Sequence, residues 1–480
     1  MTASTPSASV SKRLVLVTVT AALGFFLFGY DTAVINGAID ALADHYGLGS
    51  GLKGFAVSSA LLGCVIGAWF AGPLSNRVGR VPVMLTSSVL FLVSAIGTGL
   101  AFGITDLIVW RVVGGLGVGA ASVIAPTYIA EISPAHMRGR LVSVQGLAGV
   151  TGIAVSLFVD AGLAWQAGGA ANPLWFDLPA WRWMFILEAV PAIAYGVAAL
   201  RVPESPRYLV GLGRDADAEH VLRTCTGLAD PRAKIEEIRG SLQTDRRASL
   251  RDLAGRAFGL KPIVWVGILV AAAQQFVGIN VIFYYSTTLW RSVGFGESNA
   301  LLITAITSLI NISATVLSLL LIDKVGRRLL MLSGSLGMAV TLGVMALAFS
   351  QAITTVAGEV LLPGVWGVVA LVSANLFVAF FGVTWGSVMW VLLGEMFPNR
   401  IRAGAMAVST AVNWLSNFAI STTFPVMAAI SLTGSYSFYA LSALASFFLV
   451  KHLVKETAGI ELEDMDSQLR HTPAPDHGNR

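Results

Sequence analysis

The chain has 480 residues, 55% of them hydrophobic and 12% charged, with a net charge of +4 at pH 7 and a mean hydropathy of +0.74. Such hydropathy excludes a water-soluble domain and places the chain among integral membrane proteins. The small positive balance reads as an orientation signal in membrane loops and needs no nucleic-acid partner to explain it.

In chain order, a polar lead ending in Arg13 runs into the first long apolar segment. That segment is about twice as long as a secretory h-region, so the sequence predicts a retained first span over 14–38. Lys53 to Arg77, Arg80 to Asp106, Lys261 to Arg291, Glu297 to Asp323 and Arg328 to Glu359 are uncharged in between, and each encloses more than the ~20 residues a spanning helix needs. With the interrupted segments counted, further spans are expected near 54–75, 82–104, 106–130, 141–164, 181–202, 262–289, 299–322, 328–350, 363–394, 402–425 and 435–452. If both termini are cytoplasmic, every Lys and Arg except Lys53, Arg111, Arg182 and Arg291 falls on the cytoplasmic side, as the positive-inside rule demands. Cys64 and Cys225 fall too far apart to imply a disulfide framework.

Three motifs occur twice. Asn76, Arg77, Val78, Gly79 and Arg80 after span two return as Asp323, Lys324, Val325, Gly326 and Arg327 after span eight. Glu131, Pro134 and Arg138 after span four return at the same spacing as Glu395, Pro398 and Arg402, and Glu204 and Ser205 answer Glu456 and Thr457. Repetition in one order at near-constant offset predicts an all-α membrane protein of twelve helices in two six-helix halves. The expected boundaries are 1–203 for the first half, 204–260 for a cytoplasmic helical linker, 261–455 for the second half and 456–480 for a polar tail. Amphipathic stretches such as DADAEHVLRTCTGL argue that the linker packs beneath the bundle.

Duplicated halves with Gly- and Pro-interrupted spans point to a secondary transporter with its substrate site near mid-membrane, between the halves. At 1.5 Å per residue, Asp31 lies ~10 Å and Arg111 ~8 Å from the outer ends of spans one and four, and Glu188 belongs at the same level in span six. An ionisable group inside a span is costly and marks function by default. Desolvation and the guanidinium act on Asp31 in opposite directions, so a change in their separation binds or releases a proton. A static pair that fixes helix packing is the plainer alternative.

Gln274, Gln275 and Asn311 fall at mid-membrane on the same rise. Uncharged amides donate and accept together, which suits a neutral, multiply hydroxylated ligand, and Trp390 and Trp414 suit stacking on the apolar face of a sugar ring. Taken singly, such amides also join helices and such Trp residues also anchor at the interface. Gln274, Gln275 and Asn280 do not share one helical face, and Gly278 is expected to let the helix unwind between them. Gly115 and Gly119 have the small-xxx-small spacing of close helix contact. The sequence holds no nucleophile and base pair, metal-ligand cluster or phosphate loop at useful spacing, so neither an enzyme nor a cofactor or metal is expected.

GYDTAVINGA, RVVGGLGVGAASVIAPTYIAEISPAHMRGRL, VPESPRYL, QQFVGIN followed by FYY, DKVGRR and GEMFPNRIR together resemble the sugar porters of the major facilitator superfamily over nearly the whole chain. The resemblance is closest to the bacterial proton-coupled symporters, because passive members tend to carry a neutral residue where Asp31 stands. It implies alternating access in the cell membrane, with a monosaccharide (hexose or pentose) or related polyol and protons as cargo. Phe28, Gln274, Gln275, Asn280, Asn311, Trp390 and Trp414 would contact sugar, with Tyr284 and Tyr285 in an outer gate and Asp31, Arg111 and Glu188 as coupling groups. Arg77, Arg80, Glu131, Arg138, Glu204, Arg207, Asp323, Arg327, Glu395 and Arg402 resemble the cytoplasmic charge network that latches the outward-open state.

The chain also departs from the pattern. Span five has Gly146 where the family usually places a sugar-binding Gln, with Gln145 one residue, or ~100° of helix, earlier. Asn413 stands where some members have Gln, Ser387 replaces a common Pro, and KETAG replaces PETKG. A passive facilitator and a transporter-like sugar sensor are the alternative readings.

Overall fold

The computed structural model describes residues 12–134, 137–226, 228, 230–244, 250–354, 360–398 and 401–457. Long apolar runs become α-helices because lipid offers the backbone no water, so each N–H and C=O must find its partner within the segment. The first half contains α1 (Lys12–Ala33) and α2 (Ile35–Tyr46), which form one span with a one-residue break at Val34. It continues through α3 (Ser50–Val78), α4 (Arg80–Gly99), α5 (Ile104–Ile132), α6 (Arg138–Ala167) and the broken pair α7 (Ala180–Ile186) and α8 (Ala189–Ala199). Three linker helices follow: α9 (Pro206–Gly211), α10 (Asp215–Thr226) and α11 (Arg232–Thr244).

The second half repeats the plan. It holds the broken pair α12 (Pro262–Phe276) and α13 (Ile279–Ser292), then α14 (Glu297–Val325) and α15 (Arg327–Ser350). Another broken pair, α16 (Trp366–Phe381) and α17 (Ser387–Met396), precedes α18 (Arg402–Ile430) and α19 (Leu432–Leu453). Among the described residues, 11 spans have the length and apolarity to cross a membrane. The 29 residues of α18 supply the twelfth, with roughly 43 Å of rise. The expected number of spans therefore holds, but the ends differ. The first span continues beyond 38 to Tyr46, because Asp40 finds counter-ions that allow the helix to carry it.

Small residues set the packing within the first half. A Cβ on Gly63, Gly67, Gly115 or Gly119 would collide with a carbonyl oxygen of the facing helix, so α3 and α5 touch backbone to backbone along the expected stripe. Between the halves, α3 packs on α18 and α6 on α14. Under the bundle, Arg239 of α11 reaches Asp215 of α10 at 2.6 Å, while Val221, Leu222 and Cys225 are buried. The linker is thus a packed layer, and burial pushes the Cys225 thiol above its ordinary range.

Candidate transport site

Asp31 lies in the last turn of α1 and Arg111 in the second turn of α5. Arg111 Nη1 donates to Asp31 Oδ1 and to the Asp31 carbonyl, both at 3.0 Å, and each side chain is 2% exposed. Glu188, fully buried at the break between α7 and α8, acts electrostatically on both. The structure therefore brings the three expected groups together. It also leaves them incompletely satisfied: Asp31 Oδ2, Arg111 Nε and Glu188 Oε1 have no hydrogen-bond partner among the described residues. A single-bonded pair with spare donors and acceptors is less locked than a bidentate fork, and it can exchange partners or a proton.

Across the bundle, Gly278 takes φ +81 and ends α12 two residues after Phe276. That left-handed turn favours glycine, and it swings Asn280 back over the helix it has left. Asn280 Nδ2 donates to Gln275 Oε1 at 2.6 Å, and Gln275 Nε2 donates to Asn413 Oδ1 at 3.0 Å. Asn413 Nδ2 in turn donates to Gln274 Oε1 at 2.9 Å and to the Ala271 carbonyl, while Gln274 Nε2 reaches the Trp385 carbonyl at 3.0 Å. Four amides that share no helical face thus form one network across α12, α13 and α18. The Phe28 ring meets Trp414 edge-on at 5.7 Å, so an aromatic contact from the first half borders this network.

The other expected sugar contacts are more scattered. Asn311 is buried in α14, beside the π-helical turn Gly382–Gly386 that separates α16 from α17; such turns recur at functional sites. Gln145 is buried in α6 with its Oε1 unpartnered, and a Cβ on neighbouring Gly146 would meet nothing within 4 Å. Trp390 is 37% exposed, whereas Trp385 is fully buried and its indole donates to the Met331 carbonyl and to Ser335 Oγ. Trp385, which sequence reasoning passed over, therefore holds the wall of the site.

Tyr284 and Tyr285 are both buried on α13. The Tyr285 hydroxyl donates to the Ser421 carbonyl at 2.7 Å. Tyr284 accepts from Asn417 Nδ2 at 3.5 Å and acts electrostatically with Asp31 and Arg111, so it connects the acid site with the opposite half. Around these tyrosines the face of the bundle away from the linker is sealed. Asn36 donates to the Phe283 carbonyl at 2.8 Å and accepts from Thr287. Asp40 binds Lys53 at 2.6 Å, Arg291 at 3.0 Å and Thr288 at 2.7 Å. Ser58 meets Thr422, and Glu297 accepts from the Ala170 N–H. Among the described residues, every side-chain hydrogen bond joining the two halves lies towards this far face.

On the linker face the charge network forms two matching sets, one in each half. Arg80 makes a bidentate pair with Glu131, Glu204 accepts from the N–H groups of Arg80 and Val81, and Ser205 donates to Glu131. Arg327 makes the same fork with Glu395, Glu456 accepts from the N–H groups of Arg327 and Arg328, and Thr457 donates to Glu395. Asp323 adds a 2.9 Å contact to Arg327, Arg207 donates to Ser241, and Arg402 donates to the Phe397 carbonyl. Arg77 is exposed, and its carbonyl accepts from Tyr208. Among the described residues no bond of this network crosses between the halves. The side chain of Arg138 and residues 458–480 of the expected tail lie outside the described residues.

Sequence reasoning passed over the buried Asp160, the seal residues Asn36 and Asp40, and Glu456 of the linker-face network. Asp160 is the sole charged residue between Arg140 and Asp177, the same signal that singled out Asp31. Asp40 was hidden by a span end set too short and Glu456 by the altered KETAG motif, while Asn36 lies inside the expected span and carries no charge to single it out.

Two repeated six-helix halves, sealed together on one face, with buried ionisable groups in one half and an amide network in the other, define a secondary transporter of the major facilitator fold. The model for the family described as "Sugar (and other) transporter" matches residues 17–469. The chain is 52% identical over 466 residues to the glucose transport protein of Synechocystis sp., covering 96% of this chain and 99% of that one. It is 37% identical over 492 residues to the D-xylose-proton symporter of Escherichia coli, covering 95% and 96%. Among solved structures, the partially occluded inward open conformation of the xylose transporter XylE from E. coli aligns with a TM-score of 0.80 at 35% identity, over 94% of this chain and 100% of that one. The chain belongs to the sugar transporter family.

Proposed function

We propose that this protein is a proton-coupled monosaccharide symporter of the plasma membrane, with both termini and the linker in the cytoplasm. The observation that carries the reading is the buried Asp31 and Arg111 pair, joined by Glu188 and bordered by Tyr284 from the opposite half. Protonating Asp31 weakens its hold on Arg111, and the freed guanidinium then alters the packing of α1 on α5. Sugar would bind the amides of Gln274, Gln275, Asn280 and Asn413, with Asn311 and Gln145 nearby and Trp390, Trp414 and Phe28 against the ring. Binding exchanges amide–amide bonds for amide–hydroxyl bonds, so cargo costs the network little to admit.

The sealed far face and the likeness to a partially occluded inward open structure support reading the state described here as the cytoplasm-facing one. Among the described residues no bond joins the two charge sets on the linker face in this state, and they would meet in the outward-open one. A hexose is the first cargo to test, given the 52% identity to a glucose transport protein. The test is a counterflow panel of glucose, xylose, galactose and inositol, run beside a pH electrode in lightly buffered cells. A symporter alkalinises the medium when its sugar is added. Counterflow with no pH change marks a passive facilitator, and binding with no counterflow marks a sensor.

A further inference from the structure

Asp160 is a fully buried carboxylate in α6 that the proposed coupling site does not use. Neither of its oxygens has a hydrogen-bond partner, and among the described residues no cation pairs with it. α2 lies directly on it: a Cβ on Gly37 would stand 2.6 Å from Asp160 Cβ and 2.8 Å from its Oδ2. From α1, Tyr30 acts electrostatically with it and with Glu188. The hydroxyls of Tyr30 and of Ser156, one turn earlier on α6, are also buried and unpartnered.

The charged groups on the surrounding elements are committed elsewhere. Asp31 and Arg111, on α1 and α5, hold each other. On α2, Asp40 is taken by Lys53 and Arg291. On α7, Arg182 donates to the carbonyls of Gly99 and Ala101, and on α14, Glu297 accepts from Ala170. An ionised carboxylate here would have no counter-ion among the described residues and only the Gly37 backbone N–H to set against the loss of its water, whereas the neutral acid loses far less.

The segment that covers Asp160 is also the one the other half grips. α2 carries Asn36 and Asp40, which bind α13 across the seal, and a one-residue break at Val34 separates α2 from α1. We propose that Asp160 is a second intramembrane proton-binding group, which keeps its proton while α2 covers it and exchanges it with far-side water when the seal opens. The step is a carboxylate plus a proton giving the carboxylic acid, with no other bond changed. It rests on the transporter reading only for the opening motion.

The experiment is infrared difference spectroscopy of the purified full chain in proteoliposomes, following the carbonyl stretch of protonated carboxylic acids during a pH titration. Asp160→Asn is expected to lose one band at pH 7 that Asp31→Asn retains. Arg291→Ala, which cuts one ion pair of the seal, is expected to move the midpoint of that band to lower pH. Should Asp160→Asn fail to assemble, Asp160→Glu keeps the band at a displaced frequency. An unchanged band in these variants overturns the proposal, and a midpoint unmoved by Arg291→Ala overturns its exchange at the far side. The band reports protonation and not flux, so its loss leaves sugar symport through Asp31 standing, and failure of symport leaves the band in place.

Discussion

At the scale of single residues, a close contact of opposite charges in a dry interior carries the account. Removing one partner of such a pair leaves the other buried and uncompensated, at about 3–5 kcal/mol. Asp31→Asn keeps the shape and the hydrogen-bonding reach of the acid, so its defect is expected in coupling and not in folding. The amide network responds differently. Gln275→Ala breaks the bonds to Asn280 and Asn413, and unpaired buried amides cost about 1–3 kcal/mol each. Its half-saturation constant for sugar is expected to rise roughly 10-fold or more, at 1.4 kcal/mol per tenfold, with proton coupling kept; equal affinity in equilibrium binding would contradict the assignment. Asp31, Arg111 and Glu188 were legible because charge inside an apolar run is conspicuous. The amide bonds were not, because their partners lie on three helices and depend on a backbone turn that periodicity does not register.

At the scale of elements, helix breaks and helix ends decide what the site can do. Gly278 stands at φ +81, and an added Cβ would meet the Tyr439 ring at 2.9 Å. Gly278→Ala therefore places an L-residue in a left-handed turn, at about 1–2 kcal/mol, and displaces Asn280 from Gln275. A lower apparent melting temperature together with weakened sugar binding is expected; normal values for both would show that the turn does not position the network. The sequence placed this break correctly, since glycine between amides of conflicting face leaves few other solutions.

It set the first span too short, because Asp40 looks like a loop residue until Lys53 and Arg291 are seen beside it. Ion pairs in partial contact with water contribute roughly 0.2–1 kcal/mol each, so Asp40→Ala is expected to shift the seal by a few-fold and not to abolish it. In a Ser58→Cys background, maleimide added from outside should label about 2- to 5-fold faster with Asp40→Ala. An unchanged rate would remove Asp40 from the gate.

At the scale of the whole molecule, two copies of one plan face each other. Duplicated motifs announced the repeat, and the matching bonds of Glu204 and Glu456 to backbone N–H groups show what the altered KETAG segment preserves. Which face would be sealed was not legible, because both states of a rocking pair share one sequence. The linker layer has its own check. Cys225 is buried and its thiol is pushed up, and thiolate is the reactive form. Neither Cys225 nor the buried Cys64 should react with maleimide at pH 7 until denaturant is added. Rapid labelling of Cys225 in the native protein would mean that α10 is not packed as described.

The most direct measurement is sugar accumulation in proteoliposomes under an imposed proton-motive force of about 150 mV. At one proton per sugar that force is worth ~3.4 kcal/mol, or roughly 300-fold. The wild-type protein is expected to concentrate its sugar inside and to lose the gradient when a protonophore is added, while Asp31→Asn still exchanges sugar but only equilibrates it. Concentrative uptake by Asp31→Asn, or simple equilibration by the wild type under the full gradient, would contradict the account.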